Sequence, residues 1–485
     1  MKLDALLKNV SHLSASDPKE RDVLGVTCDS RQVRPGYVFV AVSGTDRDGW
    51  IFAREALERG AVALVSEHDN VLNRDVCHVR VADSRLAAAE LSCAFYGRPS
   101  DRLRMVGITG TNGKTTTAYM ISNILRLAGR KPGMLTTVEY QIGERVIPAG
   151  RTTPEAPVLQ SLLAQIVGAG CTNGVMEVSS HALSQKRTVG IDYDVAVLTN
   201  ITRDHLDYHH SIEQYFEAKL LLFKALGKSR KRAAAVLNTD DSWGRKIAGM
   251  DGISAGIVTY GMNPDAMVRA DNIELSPTGS SFRIQTPWGT RQCRLKLLGR
   301  FNISNALAAA ASCGSMGVGL DVIADGLLSV VNVPGRMEEI STGKGFQVFV
   351  DYAHTDDALE NVLKMLKEIT KGRIIAVFGC GGNRDKTKRP IMGAVAARLA
   401  DYSILTSDNP RKENPSEIIA QVREGFRDAQ NYEIIEDRTD AIKRAMSLAG
   451  KGDVVLVAGK GHENFQEFAN TTISFDDRQV VRRFL

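Results

Sequence analysis

The stretch GITGTNGKTTT, from Gly107 to Thr117, carries residue types that together handle phosphate. It lies between an apolar run typical of a strand and residues with helical apolar spacing, where backbone N–H groups and a helix start cradle phosphate oxygens. We expect Lys114 to reach the β- and γ-phosphates of a nucleotide and Thr115 to place its hydroxyl on Mg²⁺. The regular G-x-x-x-x-G-K-[ST] pattern would require glycine in place of Ile108. The loop predicts nucleotide binding, but alone it does not separate a ligase from a kinase or an ATPase.

Other polar residues stand where they could bind a metal ion. Glu177 follows an apolar run, which is a costly place for a charge unless it is paired or bound to metal, and we favour Mg²⁺ over a structural salt bridge. His205, His209 and His210 could suggest zinc, but no cysteine lies nearby in the sequence and nucleotide chemistry favours magnesium with oxygen ligands. From the residues alone these histidines are surface or capping residues. Lys219 stands on an otherwise apolar helix, which favours a lysine whose stem covers the core while its amine reaches solvent.

Two arginines follow predicted strands near the C-terminal end of the chain. In SDNPRKENP, Pro410 fixes its own φ and biases Asn409 away from helix. The side chain of Arg411 should therefore project from a loop of restricted conformation. Arg384 comes just after the strand IIAVFGCGG. Arginine is the usual bidentate partner of a carboxylate, although Arg384 could equally be a solvated loop residue among basic neighbours.

Strands alternating with helices must position these residues. The pattern predicts an α/β protein of three domains: residues 1–100, a central P-loop-type ATP-binding domain at 101–334, and a C-terminal Rossmann-like parallel-sheet domain at 335–485. In such sheets ligands bind beyond the carboxyl ends of the strands. The phosphate loop, Glu177, Arg384 and the DNPR stretch follow predicted strands, so we expect them at those ends.

Composition narrows the class of protein. With 485 residues and 43% hydrophobic composition, the chain can bury several cores. The net charge of +5, from 61 basic and 56 acidic residues, is too slight to argue for nucleic acid and suits anionic small molecules. The sequence contains no signal-peptide pattern and no apolar run of about 20 residues, so no membrane insertion is expected. The seven cysteines show no C-x-x-C pairing, which fits free buried thiols in a reducing, cytoplasmic compartment.

The segment GTNGKTT resembles the ATP loop of the Mur ligase family, which includes the folylpolyglutamate synthetases. The branch of that family that adds the third amino acid to the cell-wall precursor is similar in further segments: MEVSSHAL, NITRDHLDYH, YFEAKLLLF, GRFNISNALAA, VPGRMEEI, VDYAHTDDAL and GKGHENFQ. The resemblance runs from about Cys28 to Gln466. It implies a monomeric ligase that uses ATP to add meso-diaminopimelate to UDP-MurNAc-L-Ala-D-Glu through an acyl phosphate, in peptidoglycan synthesis.

Alternatives remain at this point. The same reaction with L-lysine is the nearest, and a folylpolyglutamate synthetase-like ligase would need a pterin site, against which the CDSR segment of the first domain argues. A nucleotide-binding regulator with a dead active site is a different class, but Lys114, Glu177, His205 and Lys219 are all present.

The resemblance also implies roles for individual residues. Lys114, His205 and Lys219 would be catalytic, with Lys219 carrying a CO₂-derived carbamate. The Mg²⁺ ligands would be Thr115, Glu177, His205 and carbamylated Lys219. The ATP contacts would be Gly110, Thr111, Asn112, Gly113, Lys114, Thr115, Thr116, Asn305, Arg336 and Asp351. Without the resemblance, Asn305 would make a helix-start hydrogen bond, and Arg336 and Asp351 would be interdomain ion-pairing residues.

The two substrates to be joined have their own implied contacts. Those of the UDP precursor would be Cys28, Ser30, Thr45, Asp46, Arg47, Thr152, Thr153, Ser179, Gln185 and Arg187. Arg151 departs from family members that carry asparagine before the Thr-Thr pair. Those of diaminopimelate would be Arg384, Asp408, Asn409, Pro410, Arg411, Gly459 and Glu463. Diaminopimelate differs from lysine by one distal carboxylate, so a site that selects it needs a cation there, and DNPR matches the family's pattern for that recognition.

Overall fold

A computed structural model describes residues 1–8, 10–16, 21–44, 47–69, 76–227 and 232–485. The N-terminal strands are β1 (Ser14–Ala15), β2 (Gly25–Thr27), β3 (Tyr37–Val40), β4 (Ala63–Ser66) and β5 (Cys77–Arg80). The helices beside them are α1 (Leu3–Leu7), α2 (Ala53–Glu58) and α3 (Ser84–Phe95). The strand order is β1-β5-β4-β3-β2, parallel except for the edge strand β1.

The central sheet is larger and contains the phosphate loop. Its strands are β6 (Arg104–Thr109), β7 (Pro132–Leu135), β8 (Glu139–Ile142), β9 (Arg145–Pro148), β10 (Asn173–Glu177), β11 (Val195–Leu198), β12 (Ala234–Asn238), β13 (Gly256–Gly261), β14 (Val268–Ser276), β15 (Gly279–Thr286) and β16 (Gly289–Leu295). The order is β16-β15-β14-β13-β12-β11-β6-β10-β7-β8-β9. The strands from β14 to β7 are parallel, and antiparallel strands extend both edges.

Helices cover both faces of this sheet. They are α4 (Lys114–Leu127), α5 (Ala156–Gly168), α6 (Ser180–Ser184), α7 (Leu206–His209), α8 (Ile212–Lys224), α9 (Ser242–Ala248), α10 (Arg300–Ser315) and α11 (Leu320–Leu328). On one face α4 buries Ile121, Ile124 and Leu125 against the sheet and α10. The alanine-rich sequence of α10 is buried on nearly all sides, because small side chains let neighbouring backbones approach. On the other face α5 and α8 form a second core.

The C-terminal sheet contains β17 (Glu338–Ser341), β18 (Gln347–Asp351), β19 (Ile374–Phe378), β20 (Tyr402–Leu405), β21 (Tyr432–Ile434) and β22 (Val454–Ala458). Its order is β17-β18-β22-β19-β20-β21, parallel except for β17. A separate hairpin joins β23 (Phe465–Glu467) to β24 (Thr472–Ser474). The helices are α12 (Asp356–Ile369), α13 (Lys388–Leu399), α14 (Pro415–Arg423), α15 (Arg438–Leu448) and α16 (Asp477–Arg483).

The predicted α/β class is confirmed, with mostly parallel sheets whose strands alternate with helices. In the described ranges no helix is long and apolar enough to cross a membrane. All seven cysteines are free thiols, six of them buried and Cys28 half-buried. The fold brings the end of β6, the end of β10 and the loop after β11 to one edge of the central sheet, and the C-terminal domain faces that edge.

Candidate active site

The phosphate loop runs from the end of β6 into the start of α4. Gly113 precedes the helix with φ of +86°, and Gly110 has φ of +144°, conformations that glycine tolerates far better than other residues. A Cβ at either position would collide, with Asn305 Oδ1 at Gly113 and with Thr199 Oγ1 at Gly110. The glycines at these positions are therefore required by both conformation and space. Lys114 Nζ donates to the carbonyl oxygens of Gly110 at 2.9 Å and Thr111 at 2.7 Å, which holds the amine over the loop.

Glu177 lies across from this loop at the end of β10 and is 1% exposed. Its Oε1 accepts hydrogen bonds from Thr115 Oγ1 at 2.7 Å and from Thr137 N at 3.0 Å, and its Oε2 accepts from Thr137 Oγ1 at 3.1 Å. Among the described residues no lysine or arginine forms an ion pair with Glu177, so the salt-bridge alternative is not found. Hydroxyl and amide donors offset the cost of burying this carboxylate.

The oxygen donors at this edge suit a hard cation. The Glu177 carboxylate and the hydroxyls of Thr115 and Thr137 lie together beside the start of α4. Within the described part of the chain no group of three or more His, Cys, Asp or Glu residues could hold a metal alone. That donor set fits Mg²⁺, which keeps several waters and takes one or two carboxylates together with substrate phosphates. It does not fit zinc, in agreement with the preference drawn from the sequence.

Lys219 corrects the residue-based interpretation. Its side chain does not reach solvent from the apolar helix α8, because it is 1% exposed. Its Nζ donates to the Gly110 carbonyl at 2.8 Å and lies 4.4 Å from the centre of the Tyr215 ring. Burial, reinforced by the charge of Lys114, lowers the pKa of Lys219 well below its usual value. Two lysine amines thus converge on one carbonyl oxygen. Burial lowers the pKa of both, and that of Lys219 lies well below its usual value.

The three histidines have different environments. His205 lines the same cavity as Glu177, and its Nε2 lies 3.4 Å from Asp204 Oδ2. Burial lowers the pKa of His205 to about 4, so its ring is neutral and able to bind a metal near neutral pH. His209 is 5% exposed and its Nε2 pairs with Ser180 Oγ at 3.0 Å, so the expectation of a surface residue was wrong there. His210 is exposed, as expected.

The cavity between the central and C-terminal domains has a volume of about 370 Å³. The phosphate loop, Asn305, Arg336 and Asp351 line it. Arg336 crosses to the central domain and donates from Nη2 to Thr115 Oγ1 at 3.1 Å, while its guanidinium lies 4.6 Å from the centre of the Tyr352 ring. Asp351 does not make the interdomain ion pair that the residues alone suggested, because its oxygens accept from backbone N–H groups of its own domain. Burial raises the pKa of Asp351, and Arg336 opposes that rise.

A second contact between the central and C-terminal domains involves Asn112 of the phosphate loop. Asp357, near the start of α12, accepts from Asn112 Nδ2 at 2.8 Å and from Thr202 Oγ1 at 3.3 Å. Burial raises the pKa of Asp357. The C-terminal domain is therefore hydrogen-bonded to Asn112 of the phosphate loop and to Thr202 in the loop after β11.

Several residues predicted to bind the UDP precursor lie together beside this cavity. Thr153 Oγ1 donates to the Glu177 carbonyl at 2.9 Å and accepts from Ser179 N at 3.0 Å. Arg187 donates to the Thr153 carbonyl at 2.9 Å and from Nη2 to Gln185 Oε1 at 2.6 Å. Thr152 and Ser179 line the cavity itself. The group forms a path from the phosphate loop toward the N-terminal domain.

The described N-terminal candidates, Cys28, Ser30 and Arg47, do not line the cavity. Ser30 is buried and its hydroxyl donates to Glu55 Oε2 at 2.8 Å, and burial raises the pKa of the Cys28 thiol, to which the Glu155 charge adds. Arg47 is exposed. Thr45 and Asp46 lie outside the described residues.

The predicted diaminopimelate contacts gather around the ends of β20 and β22. Asn409 donates from Nδ2 to Glu463 Oε2 at 2.8 Å. Lys460 is fully buried and donates to both Asn409 Oδ1 and Glu463 Oε2 at 3.0 Å. Asp408 Oδ2 is buried and has no hydrogen-bond partner among the described residues. It faces Gly459, whose φ of +114° and crowding against that oxygen leave no room for a side chain.

The buried carboxyls of Asp408 and Glu463 lie beside the charge of Lys460. Burial would raise the pKa of Asp408, but the charges of Lys460 and Arg438 outweigh it and hold the pKa below its usual value. Burial raises the pKa of Glu463, although Lys460 opposes the rise. An incoming ammonium group would meet two carboxylates here, one of them with an unpartnered oxygen, which is a favourable place for a cation.

Arg411 is held more firmly than the proline argument alone predicts. Its φ is +52°, and its Nε donates to Glu467 Oε2 at 2.8 Å while Nη1 donates to the Gly382 carbonyl at 2.9 Å. Arg384 is exposed and flanks Gly381, as Arg411 does. Both arginines therefore lie at one end of the cluster of predicted diaminopimelate contacts.

Sequence reasoning missed residues that act through the fold. Thr137, Asp357, Lys460 and Glu467 were not singled out, although each contacts a residue that was. Lys460 lies inside the segment GKGHENFQ, so its charge between two glycines was an available signal. Thr137 and Glu467 carry no signal of their own, because only the folded strands bring them to Glu177 and Arg411.

Three models of one protein family match successive regions of the chain. Residues 22–96 match "Mur ligase family, catalytic domain", residues 108–313 match "Mur ligase middle domain", and residues 335–461 match "Mur ligase, glutamate ligase domain". A UDP-N-acetylmuramoyl-L-alanyl-D-glutamate--2,6-diaminopimelate ligase of Geobacillus thermodenitrificans is 47% identical over 486 residues, covering 99% of both chains. One of the same name from Geobacter metallireducens is 44% identical over 500 residues, covering 99% of this chain and 98% of that one.

Solved structures share this fold. A structure of a UDP-N-acetylmuramoyl-L-alanyl-D-glutamate--2,6-diaminopimelate ligase is 35% identical, covers 96% of this chain and 97% of its own, and superposes with a TM-score of 0.66. A MurF ligase from Thermotoga maritima, solved in complex with ADP, is 21% identical, covers 95% of this chain and 96% of its own, and has a TM-score of 0.66. The second likeness concerns the fold alone.

Proposed function

The chain belongs to the Mur ligase family, and on that premise we propose that it adds meso-diaminopimelate to UDP-MurNAc-L-Ala-D-Glu with the hydrolysis of ATP, in peptidoglycan synthesis. Its likeness over 99% of the chain to ligases that carry this name supports the reaction. The observation that carries the proposal is the hydrogen-bonded chain from Arg336 through Thr115 to Glu177. It joins the C-terminal domain to the phosphate loop at the point where a γ-phosphoryl group would lie.

The reaction has two balanced steps. In the first, an oxygen of the D-glutamate carboxylate attacks the γ-phosphorus of ATP, the bond to the β-γ bridging oxygen breaks, and ADP leaves. In the second, the amine of diaminopimelate attacks the acyl carbon, a proton leaves the amine, and inorganic phosphate departs as the amide forms. Lys114 and Arg336 stabilise the negative charge that spreads over the transferring phosphoryl group. The Asn112–Asp357 contact holds the domains closed, so that water does not hydrolyse the acyl phosphate.

Mg²⁺ would supply charge neutralisation at the phosphate oxygens, held by Glu177, Thr115 and His205. The neutral ring of His205 can serve as a ligand without first losing a proton. Thr137 orients the Glu177 carboxylate by two hydrogen bonds. We further propose that Asn305 contacts the adenine and Asp351 the ribose, since both line the cavity beside the loop.

We propose that Lys219 carries a carbamate. Only an unprotonated amine adds to CO₂, and the lowered pKa of Lys219 favours that form. In this step the amine nitrogen bonds to the carbon of CO₂, one C=O bond of CO₂ opens, and one amine proton is released to solvent. The neutral amine thus becomes an anion beside the Lys114 cation and adds an oxygen ligand for the metal. Lys219 therefore becomes a metal ligand instead of a core-covering lysine.

The substrates to be joined approach from opposite sides. The path of Thr152, Thr153, Ser179, Gln185 and Arg187 would hold the peptide of the UDP precursor, and the Cys28 and Ser30 turn, with Arg47 and the neighbouring Thr45 and Asp46, its uridine end. The incoming amino acid would lie between the β20 and β22 ends. There, Asp408, Glu463 and the Gly459 carbonyl meet its ammonium end, and Asn409, Arg384 and Arg411 meet its carboxylates, with Pro410 fixing the turn.

The domain limits of 1–100, 101–334 and 335–485 are part of the proposal and agree with where the sheets and the matched regions fall. A cytoplasmic location and a monomeric state stay predictions from the sequence.

The proposal is tested by measuring ADP release with purified chain, ATP, Mg²⁺ and the UDP-linked dipeptide. Diaminopimelate should support release, L-lysine should support much less, and omission of the dipeptide should support none. Release with a folate and glutamate in place of these substrates would favour the folylpolyglutamate synthetase alternative. No release with any amino acid would overturn the proposal.

A further inference from the structure

Glu467, at the end of β23, grips the turn that carries Arg411 by separate contacts. Its backbone N–H donates to Asn409 Oδ1 at 3.0 Å, and its carbonyl accepts from Arg411 N at 3.0 Å. Its carboxylate Oε2 accepts from Arg411 Nε at 2.8 Å. The first two contacts use backbone atoms of Glu467 and survive substitution of the Glu467 side chain. The carboxylate contact can therefore be removed while the turn stays attached to the hairpin.

The carboxylate acts on the direction of one guanidinium group. Arg411 has φ of +52°, so its side chain leaves the chain from an unusual backbone conformation. Nε is held by Glu467 and Nη1 by the Gly382 carbonyl. Nη2 has no acceptor within the described ranges. The guanidinium plane is thus fixed at two nitrogens and presents the third as an open donor.

We propose that Glu467 is a positioning residue for recognition of the distal carboxylate of the amino-acid substrate. It holds the Arg411 guanidinium so that the open Nη2 edge faces that carboxylate, and a long side chain held in advance loses less rotamer entropy on binding. The inference rests on the proposed function, because diaminopimelate carries a distal carboxylate and lysine does not. The Glu467 side chain is 41% exposed, so water screens its repulsion of the incoming anion.

The Glu467 carboxylate could instead compete with the substrate for Arg411, and competition predicts a different result. If Glu467 competed with the substrate for Arg411, removing its charge would strengthen diaminopimelate binding. If it positions Arg411, removing the oxygen acceptor weakens binding, whereas glutamine, which keeps an acceptor oxygen, largely preserves it. The two substitutions Glu467→Ala and Glu467→Gln therefore separate positioning from competition.

Steady-state kinetics of the full chain provide the test, with Glu433→Ala as the matched control. Glu433 pairs with Arg444 at 3.0 Å in the same domain. In the described part of the chain it forms no ion pair with a predicted diaminopimelate-binding residue. We expect Glu467→Ala to raise the KM for diaminopimelate about fivefold to tenfold, as suits the loss of one partly exposed charged hydrogen bond. The kcat and the KM for ATP should stay within about twofold, and the kcat/KM for L-lysine should not change. Neither ATP nor L-lysine has the distal carboxylate that Arg411 would recognise. Glu467→Gln should stay within about threefold of the wild type, and Glu433→Ala should match it.

The outcomes separate this inference from the function on which it rests. An unchanged or lower KM for diaminopimelate in Glu467→Ala would overturn the inference, and so would an equal rise in the KM values for ATP and diaminopimelate, which would indicate general damage. Failure of the wild-type chain to use diaminopimelate at all would overturn the proposed function instead.

Discussion

Replacing Arg411 by alanine removes the cation that we assign to the distal carboxylate of diaminopimelate. Arg411 is held at Nε by Glu467 and at Nη1 by the Gly382 carbonyl, and its side chain is 21% exposed. The substitution leaves the Glu467 carboxylate without its partner, but that side chain is 41% exposed and water can solvate it. The backbone contacts between the turn and β23 remain. We therefore expect the variant to fold and the loss to fall on substrate recognition.

The size of the loss follows from the contact that is removed. A hydrogen bond to a charged group contributes about 1.5–3 kcal/mol, and the partial exposure of Arg411 argues against the larger penalties of a fully desolvated pair. A loss of about 2–3 kcal/mol corresponds to a decrease of roughly 30- to 150-fold in kcat/KM for diaminopimelate. Arg411→Lys keeps a charge but loses the planar donor geometry, so its loss should be intermediate.

The assay is ADP release measured with diaminopimelate varied at saturating ATP, and then with ATP varied. The KM for ATP should change by less than about twofold, because Arg411 does not line the cavity beside the phosphate loop. Equal losses for ATP and diaminopimelate would refute the reasoning and would mean that the DNPR turn is structural. An Arg411→Ala variant with undiminished use of diaminopimelate would refute it as well.

Three further predictions concern the metal, the carbamate and pH. Glu177→Gln should lower kcat on the order of 100-fold or more and shift the Mg²⁺ dependence to higher concentration, and an unchanged Mg²⁺ titration would contradict the assigned ligand. With ¹³C-labelled bicarbonate, the wild type should show a carbamate carbon signal that Lys219→Ala lacks, and full activity in Lys219→Ala would remove the role of this lysine. Burial lowers the pKa of His209 to about 4. Between pH of about 6.5 and 4 the unfolded chain binds the proton that the folded chain excludes, so stability is lost as pH falls through this window. His209→Gln should flatten this dependence by on the order of 1–3 kcal/mol in chemical denaturation, and an identical slope in both proteins would contradict the buried neutral ring.

Local patterns in the sequence were sufficient for the phosphate loop. An apolar strand, glycines and a Lys-Thr pair before a helical pattern are all short-range signals, and the structure places β6 and α4 around the loop accordingly. The end of β10 at Glu177 follows equally from an apolar run that stops at a charge. Such features are predictable because neighbouring residues in the chain create them.

Lys219 and His209 show where local patterns fail. A lysine on an apolar helix is consistent with a solvated amine, and only the approach of α8 to the phosphate loop shows that Gly110 receives it. His209 becomes buried because Ser180 comes to it from a different helix. Both corrections depend on contacts between residues far apart in the chain, which periodicity does not encode.

The amino-acid site shows the same limit. The DNPR turn is visible in the sequence, but its side-chain partners Lys460, Glu463 and Glu467 lie about fifty residues further on. In the parallel order β18-β22-β19-β20, one strand lies between β20 and β22, and their carboxyl ends lie on the same side of the sheet. Since that order is a property of the fold, the charge balance around Asp408 and Glu463 was not predictable from composition.

The central claim is tested most directly by the mass of the UDP-linked product. The chain is incubated with ATP, Mg²⁺ and UDP-MurNAc-L-Ala-D-Glu in the presence of equal concentrations of meso-diaminopimelate and L-lysine. We expect a product heavier by one diaminopimelate residue, with one ADP released for each product formed. A product heavier by one lysine residue, or product formation without release of ADP, would contradict it.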